Sequence, residues 1–182
     1  MSDQLAGEMA RRNVKLIPTL AREEADLEFS KENNRYLSDP LFQACAGDRL
    51  EELKRQRSAA DKSEAETFQR SFDIAIQNLS KLHAAGVQIC MGTDTGFRLK
   101  LPGYSQHREL ALMCRAGLST SQSLAAALQN NYEFFAHSAS KIEPGQPADF
   151  FLVKGNPLGR IEDTTKIREV WQAGEVVGNV SV

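Results

Sequence analysis

The chain has 182 residues, 41% hydrophobic and 25% charged, enough for one domain with a core of its own. Its 22 basic and 24 acidic side chains leave a formal net charge of −2, which argues against a nucleic-acid or membrane-surface binder. Three separated cysteines with no C-x-x-C pair exclude a disulfide framework and a cysteine zinc site, and no apolar run approaches the ~20 residues of a membrane span.

The N-terminus, MSDQLAGEMARRN, lacks the apolar core of a signal peptide, so a native start predicts a cytoplasmic protein. Residues 3–12 read as the end of a helix stopped at Asn13. Residues 14–17 read as a short strand ended by Pro18, which cannot donate to a sheet ladder. Residues 21–57 read as helix in pieces, broken near Asn33-Asn34, at Asp39-Pro40 and at Gly47. Within them, residues 49–57 (RLEELKRQR) read as a solvated helix face. The clearest helix opens at Ser63 and Glu66, which have capping-box spacing. Phe68, Phe72, Ala75, Ile76, Leu79 and Leu82 share one of its faces, His83 complements the dipole in its last turn, and Gly86 ends it. The strand 87–91 (VQICM) follows with almost no loop, the α-to-β half of a βα repeat.

Beyond the sequence GTDTG, residues 97–104 read as a loop and residues 106–116 as a helix with Leu110, Met113 and Cys114 on one face. Ser119 and Gln122 repeat the capping-box spacing and open a helix through about Phe135, with Leu124, Ala127, Leu128 and Phe135 as its apolar stripe. His137 falls in the loop after it, where a surface role is expected. The character changes at Ile142. Pro144-Gly145 and Gly155-Asn156-Pro157 are turns, residues 148–153 a strand, and residues 167–172 and 175–177 two strands joined through Ala173-Gly174. An α/β segment over residues 1–141 thus precedes a β segment over residues 142–182. Cys90 and Cys114 read as small buried hydrophobes.

Gly92-Thr93-Asp94-Thr95-Gly96 is the constellation that suggests chemistry. It places a carboxylate at the exit of an apolar strand, between glycines that let the backbone turn sharply. In α/β folds the ligand site lies at the carboxyl ends of the strands. The alternative for Asp94 is an Asx turn between threonines. His107, opening the next helix, is a second candidate, for a substrate contact, and Glu109 suits the N-terminus of a helix. The three histidines have no metal-ligand spacing among themselves.

Five stretches, VKLIPTL (14–20), AAGVQICMGTDTG (84–96), HRELALMCRAGLS (107–119), IEPGQPADFFLVKGNPL (142–158) and IREVWQAGEVV (167–177), resemble in order and spacing the C-terminal part of the metal-dependent amidohydrolases. The likeness is closest to the imidazolonepropionase-like and Xaa-Pro dipeptidase-like branch. It implies a partial (β/α)8 barrel, with residues 14–20 as strand seven and residues 87–91 as strand eight, plus a share of a β-sandwich. It also implies that Asp94 binds a divalent metal, zinc for instance, and moves a proton from the metal-bound water to the leaving nitrogen. The family's other ligands, an H-x-H pair on strand one, often a modified lysine on strand four, and histidines on strands five and six, have no counterpart in this chain. A whole barrel takes about 250 residues. Where the family often has Ala-Thr-x-Asn-x-Ala, residues 127–132 read ALQNNY, and residues 136–140 (AHSAS) are poor in glycine.

The resemblance therefore implies a fragment of an enzyme that hydrolyses a C–N bond in a small amide, cyclic amide or dipeptide, inactive and metal-free by itself. The alternative is a non-catalytic module that docks, through the open edges of strands seven and eight, on a partner chain carrying the missing strands. A decayed gene or truncated gene model is the third option.

Overall fold

A computed structural model describes residues 1–59, 63–135 and 142–179. Helix α1 (Asp3–Arg11) is capped by Ser2, whose hydroxyl accepts from the Leu5 N–H at 3.2 Å. Asn13 then takes a left-handed φ of 54° and turns the chain into β1 (Lys15–Leu16). The helix in pieces comprises α2 (Leu20–Ser30), a 3-10 turn at Tyr36–Ser38, α3 (Pro40–Ala46), a second 3-10 turn at Gly47–Arg49, and α4 (Leu50–Ser58). Asp39 caps α3 by accepting from the Leu41 N–H at 2.9 Å, with Pro40 in the first turn. Residues 49–57 are not a wholly solvated face. Leu53 and Arg57, four apart on one stripe of α4, are buried.

Helix α5 (Ala65–Ala84) is the longest, at 20 residues. Its N-cap is Glu64 rather than Ser63, with helical backbone (φ −86°, ψ −1°) and no side-chain cap bond, so the expected capping box does not form. Its C-terminus closes as a Schellman motif. The Gly86 N–H donates to the His83 carbonyl and the Val87 N–H to the Leu82 carbonyl, both at 3.0 Å. Strand β2 (Gln88–Ile89) is shorter than expected and lies parallel to β1, pairing Lys15 with Gln88 and Leu16 with Ile89.

Helix α6 (Tyr104–Arg115) begins two residues earlier than expected, because Gly103 turns the chain at φ 85° and donates its N–H to the Gln106 side chain at 2.7 Å. Helix α7 (Thr120–Ala127) opens on the expected box: Ser119 Oγ accepts from the Gln122 N–H at 3.2 Å, and Gln122 Oε1 from the Ser119 N–H at 2.8 Å. The long helix expected beyond it is broken at Leu128 (φ −110°, ψ −87°), and α8 (Gln129–Phe134) follows. Leu128 and Phe135 are exposed rather than part of an apolar stripe, whereas Leu124 and Ala127 pack on the core. His137 and the expected boundary at 141 lie outside the described residues.

Strands β3 (Phe150–Val153), β4 (Ile167–Gln172) and β5 (Glu175–Asn179) form an antiparallel sheet in that order, with Phe150 stacked on Trp171. A 3-10 turn at Ile161–Thr165 buries Ile161 in the main core and so fastens this segment to the helices. Cys90 is fully buried, while Cys114 is only partly so, with Sγ 3.2 Å from Ser123 Oγ.

Two apolar clusters meet at α2. Leu20, Ala21 and Leu27 join Phe72, Leu79, Leu82, Leu110 and Met113 in the larger one. Ala25 and Phe29 join Tyr36, Phe42, Leu53, Leu99, Leu101 and Tyr104 in the smaller. No helix among the described residues is long and apolar enough to cross a membrane.

Candidate active-site corner at the strand exits

The carboxyl ends of β1 and β2 lie side by side, and both exits turn through a left-handed residue. Thr19 follows β1 and Asp94 follows β2, each at φ 49°. Aspartate tolerates this conformation because its short polar side chain bonds locally, whereas a β-branched threonine there is strained. The exits touch at Gly92, where an added Cβ would collide with Ile17 Cγ2. The first glycine of GTDTG is thus required by the neighbouring strand exit.

Asp94 is exposed at 65% of its side chain, and its Oδ2 lies 3.1 Å from Arg22 Nε in the first turn of α2. The loop behind it is anchored. The Gly96 N–H donates to the Lys100 carbonyl at 2.9 Å, and the buried Lys100 ammonium meets Asp26 on α2 at 2.9 Å. Arg98 lies over the Phe29 ring at 4.6 Å. The Tyr104 hydroxyl donates to Asp39 at 3.0 Å, and its ring packs edge-on against Tyr36 and Phe42. The excursion between α2 and α5 therefore buttresses the loop that carries Asp94.

Three consecutive residues of α6 tie it to two other elements, the 3-10 turn at Ile161–Thr165 and α2. His107 Nδ1 lies 3.0 Å from Thr164 Oγ1, whose own proton goes to the Ile161 carbonyl at 2.8 Å, so the imidazole donates through Nδ1. Burial lowers its pKa. Arg108 donates to both oxygens of Glu24 at 2.9 Å, a bidentate pair. Glu24, fully buried, also accepts from the Tyr36 hydroxyl at 2.5 Å and from Arg35. Burial pushes Glu24 up, but the bonds and charge of Arg108, the Tyr36 hydroxyl and Arg35 outweigh it and hold its pKa below the ordinary value. Burial and the Glu24 charge push the Tyr36 hydroxyl well up.

Glu109, fully buried, accepts from the Leu20 N–H at 3.0 Å and the Ala21 N–H at 2.6 Å. It does complement a helix N-terminus, but that of α2 rather than of its own helix. Burial pushes its carboxyl up to about 7, against the pull of the two N–H groups and with a further push from Glu24. Nothing in the sequence pairs residue 109 with residues 20 and 21. Glu24 and Arg108 are likewise invisible there, although Glu24 and Glu28 at helical spacing beside Ala25 and Phe29 hint that acidic groups lie on a buried face.

The outer edge of β2 is occupied by the chain itself. The Met91 N–H donates to the Ala126 carbonyl at 3.0 Å, Asn131 Nδ2 to the Met91 carbonyl at 3.0 Å, and Asn130 Nδ2 to the Ile89 carbonyl at 2.7 Å. The expectation of an open edge on this strand is therefore corrected: Ala126, Asn130 and Asn131 cover it. A cavity of about 640 Å3, lined by residues including Asp3, Ile76, Lys81 and Arg115, involves none of the residues of this corner.

Among the described residues, no three His, Cys, Asp or Glu side chains come together as a metal-holding group. Asp94 faces a guanidinium instead. The described residues alone do not fit a catalytic metal, which needs about three protein ligands. The corner offers one accessible carboxylate paired with an exposed guanidinium.

No curated protein matches the sequence. Crystal structures that share the fold include the following three. A Xaa-Pro dipeptidase with bound methionine in its active site has a TM-score of 0.69 at 20% identity, over 98% of this chain and 38% of that one. An amidohydrolase has 0.67 at 19%, over 100% and 38%. A prolidase complexed with N-methylphosphonate-L-proline has 0.69 at 17%, over 99% and 38%. The chain thus spans about two fifths of the length of the structures it resembles. The sequence model of the amidohydrolase family matches residues 7–180, and the chain belongs to that family.

Proposed function

We propose that the chain carries the strand-seven and strand-eight corner of a hydrolase acting on C–N bonds, in a small amide, cyclic amide or dipeptide, and that Asp94 is its proton-handling carboxylate. One observation carries this reading. In a member of the amidohydrolase family, the carboxylate after GT stands exposed at the carboxyl end of a parallel strand pair, the end where α/β folds bind ligands. In this reading residues 14–20 and 84–96 are the last two strand exits of a (β/α)8 barrel, and β3 to β5 are part of a β-sandwich. Asp94 takes a proton from the attacking water and returns it to the leaving nitrogen. Any divalent metal in the complete centre, zinc included, takes its other ligands from outside the described residues. His107, already donating through Nδ1, has only Nε2 left for substrate.

The test measures hydrolysis of Xaa-Pro dipeptides and cyclic amides with added Zn2+ or Mn2+, by the chain alone and co-expressed with the polypeptide encoded immediately upstream. The expected result is no turnover and no stoichiometric metal for the chain alone, with activity in the co-expressed sample that Asp94→Asn lowers at least about 100-fold, the usual worth of a general base. Turnover that survives Asp94→Asn unchanged overturns the assignment.

A further inference from the structure

We propose that Glu109 is a positioning residue for Asp94. It holds the first turn of α2 and thereby the Arg22 guanidinium that orients the Asp94 carboxylate. This deepens the functional reading above and rests on it.

A helix start leaves its first N–H groups without partners, and a side chain at the N-cap normally takes one of them. Thr19 stands at that position but sits at φ 49°, ψ 41° and makes no cap bond. A β-branched residue in the left-handed region persists only when its surroundings over-determine it. The surroundings here are Glu109, whose two oxygens take the Leu20 and Ala21 N–H groups from a helix 88 and 89 residues further along the chain. The next residue is Arg22, whose Nε meets Asp94 Oδ2 at 3.1 Å. Arg22 and Asp94 are both substantially exposed, so their ion pair alone is too weak to fix either group. A buried carboxylate with charge-assisted bonds to the adjoining backbone supplies the missing rigidity.

The linkage has a pH signature, because Glu109 titrates near 7. The charge acting on it from α2 is Glu24, itself paired with Arg108 and Arg35. On α6, His107 and Arg108 are engaged by Thr164 and Glu24, and Arg115 lies over Phe72 of α5. In the 3-10 turn before β4, Asp163 is paired with Lys166. From α3, Cys45 lies under Gly103 at the start of α6. As pH falls through about 7, the carboxylate gains a proton, both N–H bonds weaken, and the first turn of α2 loosens.

The experiment is NMR on the full chain between pH 5 and 9, following the Leu20 and Ala21 amides and the Arg22 Nε–H. The expected result is that all three signals move with one midpoint near 7 and that Arg22 Nε–H exchange speeds at least tenfold, after correction for intrinsic exchange, below it. Glu109→Gln should abolish the shared titration. Asp94→Asn should leave Leu20 and Ala21 titrating as before. If the Arg22 signal does not follow the two amides, or still titrates in Glu109→Gln, the proposal is overturned. Should Glu109→Gln fail to fold, the wild-type titration decides alone. Loss of this linkage would leave the catalytic assignment of Asp94 standing, and an Asp94→Asn variant of undiminished turnover would leave the linkage standing.

Discussion

Gly92 shows how a single missing methyl fixes the geometry of the corner. Strand exits approach closely only where one of the two residues lacks a Cβ, and here the obstacle is the γ-methyl of Ile17. Ile17 is β-branched and stiff at χ1, so it cannot swing clear without leaving its rotamer. Gly92→Ala is therefore expected to destabilise the chain by about 1–3 kcal/mol, the usual cost of overpacking. Ile17→Ala in the same chain should recover most of that loss, a coupling that urea unfolding of the two single variants and the double variant measures. Equal losses with and without Ile17 would place the strain elsewhere. Glycine at residue 92 was legible in the sequence as a turn residue. Its contact with Ile17 was not, because it depends on the parallel pairing of strands separated by more than 70 residues.

Among the elements, sequence signals held where the bonding is local and faded where tertiary contacts compete. The Ser119 box and the Gly86 stop form as read, since each needs only a few consecutive residues. The Ser63 box has the same spacing and does not form, because helical backbone at Glu64 moves the helix start along the chain. The break at Leu128 had no breaker residue to announce it. It becomes intelligible from β2: stopping α7 there brings the Ala126 carbonyl and the side chains of Asn130 and Asn131 against the strand edge. An unpaired edge is a template for association. Asn130→Ala should cost about 1–3 kcal/mol by leaving the Ile89 carbonyl without its donor. It should also convert part of the protein to dimers or larger species at high concentration, read by light scattering. Unchanged stability and a uniform monomer population would show that the asparagine cap is dispensable.

At the scale of the molecule, two apolar clusters share one helix, and the chemistry of its third face decides whether they stay together. Helix α2 gives Leu20, Ala21 and Leu27 to one cluster and Ala25 and Phe29 to the other, while Glu24 takes the bidentate Arg108 from α6. Arg108→Ala leaves a buried carboxylate short of its strongest partner, a change that typically costs about 3–5 kcal/mol. The smaller cluster holds few other polar ties to α6, so the first proteolytic cuts in this variant should fall between residues 31 and 58 rather than in α5. The acid response follows from the same group. Glu24 titrates below the ordinary carboxylate value, so its contribution is present above that value and is lost as pH falls through the depressed one. Glu109 works in the opposite sense. Its ionised form grips the Leu20 and Ala21 N–H groups more tightly, but burying that charge costs the fold more than the two bonds return, so its pKa is raised to about 7 and its contribution to global stability is complete below the ordinary value of 4.5 and is lost as pH rises through 7. The stability advantage of wild type over Glu24→Gln should therefore shrink between pH 7 and pH 3. An advantage that stays constant across that range would mean that Glu24 does not hold the clusters together through its charge.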